Sequence, residues 1–350
     1  MKKYYQWRIS PTKDRMSRSR GFTHASALLA LALGFARPTL ANDTMVTLGA
    51  GGLVPVKSSK VVMESEKLYI SVHRVKVDYV FRNSSKQDVD ADVAFPLPEL
   101  DGATLANSPI QLPSKNPANF MSFKVIVDGA PISPKIELRG VKGGKDITDK
   151  LRSLGLPVSV LDPRMKETIE KLPPDQRKQL EKDELIVSQE TSGSGKTEKW
   201  VWPWWQTRVQ FYWTQHFAGN STVRVSHTYL PIVGGSYIVY DDDGSSTANR
   251  YCGAADALKQ IKDLQAKLAK KPGTDVAVWE RNVMYILTTA NNWSGPIRSF
   301  HLEVNSDSPD DIVLTCMPSV KQVSPTRYEM NVPNFRPDRE LDLMILQANR

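Results

Sequence analysis

The sequence predicts a mainly β protein: two antiparallel β-sandwich-like domains, a helical insertion between them, and one helix inside the second domain. Three observations carry this expectation. From Val61 to Asp128 apolar residues recur at every second position, and from Trp200 onward they do so again. Between about 146 and 190 the pattern gives way to a stretch rich in Lys, Glu, Gln and Leu. A period of two sends alternate side chains to opposite faces of a strand, as a sheet with one buried face requires.

The chain starts with a segment of another kind. Ala25–Ala36 is an uncharged apolar run, preceded by Lys and Arg and followed by Thr39-Leu40-Ala41. A basic region, a short apolar run and a small-residue cut site make a secretory signal peptide. Cleavage is expected between Ala41 and Asn42. Such a run spans about 18 Å as a helix, against about 30 Å of bilayer hydrocarbon, so no anchor is expected from it. The basic region is long, and Met16 is an alternative start to Met1. Arg18 and Arg20 are not adjacent and no Cys follows the cut, so neither a twin-arginine signal nor a lipid anchor is indicated. The expected location is periplasmic or secreted.

The net charge of the whole chain is +8. Eight basic side chains and one acidic one lie in the first 41 residues, leaving 38 basic and 37 acidic residues beyond them. The apparent basicity belongs to the leader, and with it goes the case for a nucleic-acid partner.

The first domain is expected over 42–139. Val75, Val77, Tyr79 and Phe81 alternate with Arg74, Lys76, Asp78 and Arg82, and Asn83-Ser84-Ser85-Lys86 supplies a turn. Val89, Ala91, Val93 and Phe95 follow, ended by Pro96-Leu97-Pro98; Phe123, Val125 and Val127 run into Asp128-Gly129. An insertion is expected over 140–199, with helices at 146–154 and 163–182 divided by Pro173-Pro174, and a flexible loop at Thr191–Gly195. The second domain is expected over 200–350. Its helix, 249–271, sets Leu258, Ile261, Leu264 and Leu268 against Lys259, Lys262, Lys267 and Lys270 and stops at Pro272-Gly273.

The two cysteines, Cys252 and Cys316, both follow the leader. In an oxidising compartment they most simply pair, closing a long loop worth about 3–4 kcal/mol on a chain-entropy argument; the alternative is two buried thiols.

Candidate chemistry is sparse. Gly193–Thr197 resembles part of a nucleotide-binding loop, but Glu190 stands where the first glycine is needed. Asp241-Asp242-Asp243-Gly244-Ser245 is half of a calcium loop and reads better as a turn. Trp200, Trp202, Trp204 and Trp205 crowd around Pro203. Exposed, they would stack on sugars or enter a protein groove; buried, they would pack between sandwich and insertion. His227 is expected as a hydrogen-bonded core residue, and His216 and His301 on polar strand faces. No metal-ligand or nucleophile motif occurs, and no cofactor is expected.

Taken in order, several stretches resemble the bacterial domain-of-unknown-function family 4424: Asn42–Gly52, Val77–Asn83 with Phe95–Pro98, Phe211–Phe217, His227–Pro231, Tyr251-Cys252, Ala290–Ile297 and Ser324–Arg327. The resemblance implies an exported β-rich protein without an assigned activity, and it favours pairing of Cys252 with Cys316. The first domain is also similar, over short motifs, to the vault/inter-alpha-trypsin type of β-sandwich, in Val77–Phe81, Asn83-Ser84, Phe95–Pro98 and Phe123–Gly129. By fold analogy that implies interaction rather than catalysis. The reading from sequence is an exported, non-catalytic protein that binds an envelope protein or a glycan, with Trp200–Trp205 and the insertion as its surface. The rival is a hydrolase joining His216, Asp241 and Asp243 across loops.

Overall fold

Alternation in the sequence decides which side chains meet in the core. In the computed structural model Val75–Asn83 buries Val75, Val77, Tyr79, Phe81 and Asn83 and turns Lys76 to solvent. The structure describes residues 42–49, 52–106, 114, 116, 119–193, 196–237, 251–252, 259–264, 266 and 278–348. The predicted leader lies outside them.

Val75–Asn83 sits inside an eight-stranded sheet. Its spatial order is Lys321–Ser324, Arg327–Phe335, Ile297–Asn305, Val61–Ile70, Val75–Asn83, Thr222–Tyr229, Lys124–Val127 and Ala130–Ile132. A second sheet runs Lys145–Asp146, Lys135–Lys142, Gln206–Phe217, Val89–Pro96, Thr44–Gly49 and Gly52–Pro55, with Leu100–Asp101 beside Gln206–Phe217. The inner faces share one core. Phe123 stacks on Phe211 at 4.2 Å and on Phe95 at 5.0 Å, and Phe81 meets Phe217 edge-on at 6.2 Å.

Strands from both ends of the chain therefore build the same sheet. Ile297–Asn305 lies parallel to Val61–Ile70, with Ser299 opposite Ser65 and Val304 opposite Ile70. Among the described residues every other strand pair is antiparallel. No hairpin sets the direction of two strands so distant in sequence, so alternation alone does not disclose it.

A third sheet, ordered Gly234–Tyr237, Val278–Tyr285, Leu341–Ala348 and Ile312–Thr315, has two apolar faces. Val283, Tyr285, Leu341, Leu343 and Ile345 join the main core. On the other face Val278, Met344, Leu346, Ile312 and Leu314 pack with Tyr251, Ile261 and Leu264. Within the helix expected at 249–271, residues 259–264 and 266 are described and helical, and Ile261 and Leu264 face inward. Cys252 and Cys316 are disulfide-bonded, with their Cα atoms 5.0 Å apart.

The insertion has its own core. Helices Thr148–Ser153, Met165–Glu170 and Pro174–Lys182 contribute Leu151, Met165, Ile169 and Leu180, which pack with Ile186 and Trp205. Pro174 occupies the first helical position, where its missing N–H costs nothing. Of the stretch expected as a flexible loop, 191–193 belongs to a strand of a hairpin and 194–195 lies outside the described residues. Ile186–Gly193 pairs with Lys196–Pro203, from Ile186 opposite Pro203 to Gly193 opposite Lys196. Alternating Ile, Val and Trp at its base carry the pairing, and the Ser and Gly residues fall at its tip.

Trp205 is fully buried, and its indole N–H donates to the Val158 carbonyl at 3.0 Å. Trp205→Ala should cost about 3–5 kcal/mol of stability, chiefly through the cavity, since the Val158 carbonyl keeps a hydrogen bond from Thr207 Oγ1. Trp202→Ala should cost about 0.5 kcal/mol. Urea unfolding of the two variants checks this; equal losses would contradict it.

Candidate functional site

On Lys196–Pro203, Trp200 and Trp202 are two residues apart and so share a face. Gln189 lies opposite Trp200, and Val187 opposite Trp202. The same alternation directs Ile186, Val201 and Pro203 toward the insertion core. The hairpin thus has one anchored face and one exposed one. On the exposed face Val187 is 37% exposed, Trp200 40% and Trp202 36%, an unusual grouping of large apolar side chains. The two indole planes are parallel to within 4°, with centroids 6.2 Å apart. Lys166, from Met165–Glu170, holds its ammonium 5.4 Å from the Trp200 ring centroid. Indole faces carry negative potential, so they attract that cation and equally the polarised C–H bonds of a sugar ring.

The four tryptophans that crowd together in sequence therefore divide. Trp200 and Trp202 form the surface. Trp204 is half-buried, its N–H donating to the Leu185 carbonyl (2.8 Å) and its own carbonyl accepting from Lys142 Nζ (2.7 Å). Trp205 is core. Parity separates them: Trp200 and Trp202 are in step, and the chain leaves the hairpin at Pro203.

Of the residues of the hydrolase reading, His216 is described. His216 pairs across the sheet with Asp90, Nδ1 to Oδ1 at 2.7 Å, and stands 3.7 Å from Asp88, all on the exposed face. The hydrogen bond to Asp90 raises the imidazole pKa. Asp241 and Asp243 lie outside the described residues, as does the calcium-like turn. Lys196 and Thr197 of the nucleotide-loop-like motif begin a strand, where that motif would need a helix. His301, Glu303 and Glu329 bring donor atoms within 4.8 Å of one another, but Arg327 already pairs with Glu329 at 2.6 Å and Asn331 with His301 at 2.7 Å. A small apolar cavity of about 170 Å³ lies among Leu97, Met121, Tyr229, Ile232 and Met284.

One constellation escaped the sequence reading: a chamber of buried polar groups inside the sandwich. Asn42, Asp43, Glu66 and His227 have no exposure, and Tyr79 has almost none. Glu66 Oε2 accepts from Asn42 Nδ2 (3.0 Å) and Oε1 from the Tyr285 hydroxyl (3.2 Å), which lies 2.8 Å from the Tyr79 hydroxyl. Tyr79 donates to Asn42 Oδ1 at 2.5 Å. Burial pushes Glu66 up to about 7 and raises Asp43, which the nearby Glu66 raises further. His227 sits as expected in the core, yet neither ring nitrogen has a hydrogen bond, and burial lowers its pKa to about 3. The available signal was a slip of parity: Val61 and Met63 face inward, then Glu66, Leu68 and Ile70, because a register shift falls between Met63 and Ser65.

The family described as a domain of unknown function, DUF4424, matches residues 41–346. The chain belongs to this family. No functionally curated protein matches it. Among solved structures, a candidate nutrient-binding protein from Legionella pneumophila is similar at 18% identity and a TM-score of 0.43, over 83% of this chain and 68% of that one. At that distance the likeness assigns nothing to this member of DUF4424.

The Asp90 hydrogen bond makes a direct expectation for His216. Its imidazole should titrate above the ordinary 6.5 in an NMR pH series, and Asp90→Asn should return it toward that value. An unchanged titration in Asp90→Asn would remove the pairing.

Proposed function

We propose that the protein is an exported, non-catalytic binding protein of the cell envelope that holds a glycan on the Trp200–Trp202 face. The observation that carries this reading is the pair of parallel, exposed indoles on a hairpin whose other face is packed into a core. A rigid base lets aromatic side chains bind without first being ordered, which is the usual entropic charge on a surface site. Gln189 and Lys166 beside the rings supply hydrogen-bond groups for sugar hydroxyls. Export is supported by the leader-like segment ending at Ala41. The near balance of charge beyond that segment favours a neutral or weakly charged ligand over a polyanion.

The purified protein should be retarded in gels containing envelope or storage polysaccharides, and soluble oligosaccharides should change its tryptophan emission. Trp200→Ala and Trp202→Ala should each weaken binding by about tenfold or more while the thermal midpoint falls by no more than about 2 °C. Full retention of glycan binding in the double variant would refute this surface. Capture of a peptide in place of any glycan would move the assignment to a protein partner.

A further inference from the structure

The chamber contains two carboxylates and no Lys or Arg partner. Both carboxylate oxygens of Asp43 lack a hydrogen bond, and His227 Nε2 stands 3.6 Å from Oδ2. An unpaired carboxylate in a protein interior either holds a proton or needs a cation beside it, and among the described residues no Lys or Arg pairs with either carboxylate. Asn42, whose side chain lines the chamber, donates its backbone N–H to Thr289 Oγ1 at 2.5 Å, and the Asp43 N–H donates to Asn42 Oδ1 at 3.0 Å. Trp293 Nε1 on the Asp43 carbonyl (2.5 Å) and Asn292 Nδ2 on Thr44 Oγ1 (3.1 Å) clamp the same short segment against residues 288–293.

We propose that Asn42 is the mature N-terminus and that its α-ammonium is the cation of the Asp43–Glu66 chamber. Two observations independent of the chamber meet at this residue. The small-residue cut site in the sequence ends at Ala41, and the family match begins at residue 41. Hydrolysis of the Ala41–Asn42 peptide bond by a leader peptidase consumes one water. It leaves the Ala41 carboxylate on the leader and converts one amide N–H into an ammonium with three N–H donors and a positive charge. A free α-amine titrates at about 7.7–8.0, and two neighbouring carboxylates hold it charged. One positive charge leaves Asp43 and Glu66 sharing a single proton as a coupled pair. A metal ion fits less well: the donor atoms of Asp43, Glu66 and His227 do not gather within 4.8 Å, as those of the surface group His301, Glu303 and Glu329 do.

The consequence is a processing switch. The precursor has an amide where the fold needs a cation, so full stability follows removal of the leader and not synthesis. This inference does not depend on the glycan reading.

The test uses the exported, processed protein, with its intact mass and an amine-acylating reagent at neutral pH. The mass should begin at Asn42, and the α-amine should react at least about a hundredfold more slowly in the folded protein than in denaturant. A chain with one Gly retained before Asn42 should melt about 6–12 °C lower. The pH dependence should also differ. In the extended chain Glu66 lacks its cation among Asp43, Tyr79, Tyr285 and His227, and its pKa stands raised from 4.5 to about 7. The folded state then holds the extra proton, so stability falls as pH rises from about 4.5 to about 7. The processed protein, in which the two carboxylates share one proton instead of holding one each, should show a shallower fall. If the extended chain does not fold, labelling of the unaltered protein decides the matter. An N-terminus elsewhere, equal labelling rates, equal midpoints, or a stoichiometric metal ion lost in Asp43→Asn would each overturn the proposal.

Discussion

Ile297–Asn305 is held on one side by Arg327–Phe335 and on the other, in parallel, by Val61–Ile70. That second contact organises the molecule. It joins strands from the two ends of the chain in one sheet, so the interior cannot close until both are present. It also carries the preceding segment, Tyr285 to Trp293, over Glu66 and residues 42–44. The buried polar chamber is thus a product of topology: residues 42–43, Glu66, Tyr79, His227 and Tyr285 come from separate strands and segments and meet only in the folded sandwich. Long-range pairing of this kind forms late and slowly, because loop closure precedes any reward.

Much of the architecture was legible in local alternation. Val75 to Phe81, Val89 to Phe95 and Val209 to Trp213 read as strands because one face of each lies in the shared core. The disulfide was legible from two cysteines beyond a leader-like segment. Less was legible where a rule of period two is broken or where partners are remote. Glu66 is turned inward by the register shift at Met63–Ser65, which strict alternation does not foresee. Thr191–Gly195 reads as a linker by composition, yet Thr191, Ser192 and Gly193 pair across the hairpin despite the weak β-propensity of Ser and Gly. The parallel direction of Ile297–Asn305 has no local signature at all.

The tryptophans show why composition alone could not define the surface. Four crowd together in sequence, and an indole serves equally as core filler or as ligand platform. What separates them is the face on which each strand position falls, and whether the indole N–H finds a buried acceptor. Trp205 finds Val158 and becomes the centre of the insertion core. Trp200 and Trp202 remain parallel and exposed, with Lys166 beside them. Anchoring by the one supports display of the others, which links the stability of the insertion to the proposed binding face.

The two proposals concern opposite sides of one design: a rigid exterior platform, and an interior that is complete only with a positive charge. The second is the central claim, because the whole sandwich closes around it. The most direct measurement is a high-resolution crystal structure of the exported protein. The account predicts density that starts at Asn42, with its nitrogen within hydrogen-bonding distance of Thr289 Oγ1 and of a carboxylate oxygen of Asp43 or Glu66. Density continuing through Ala41, or an α-amine turned out to solvent, would contradict it.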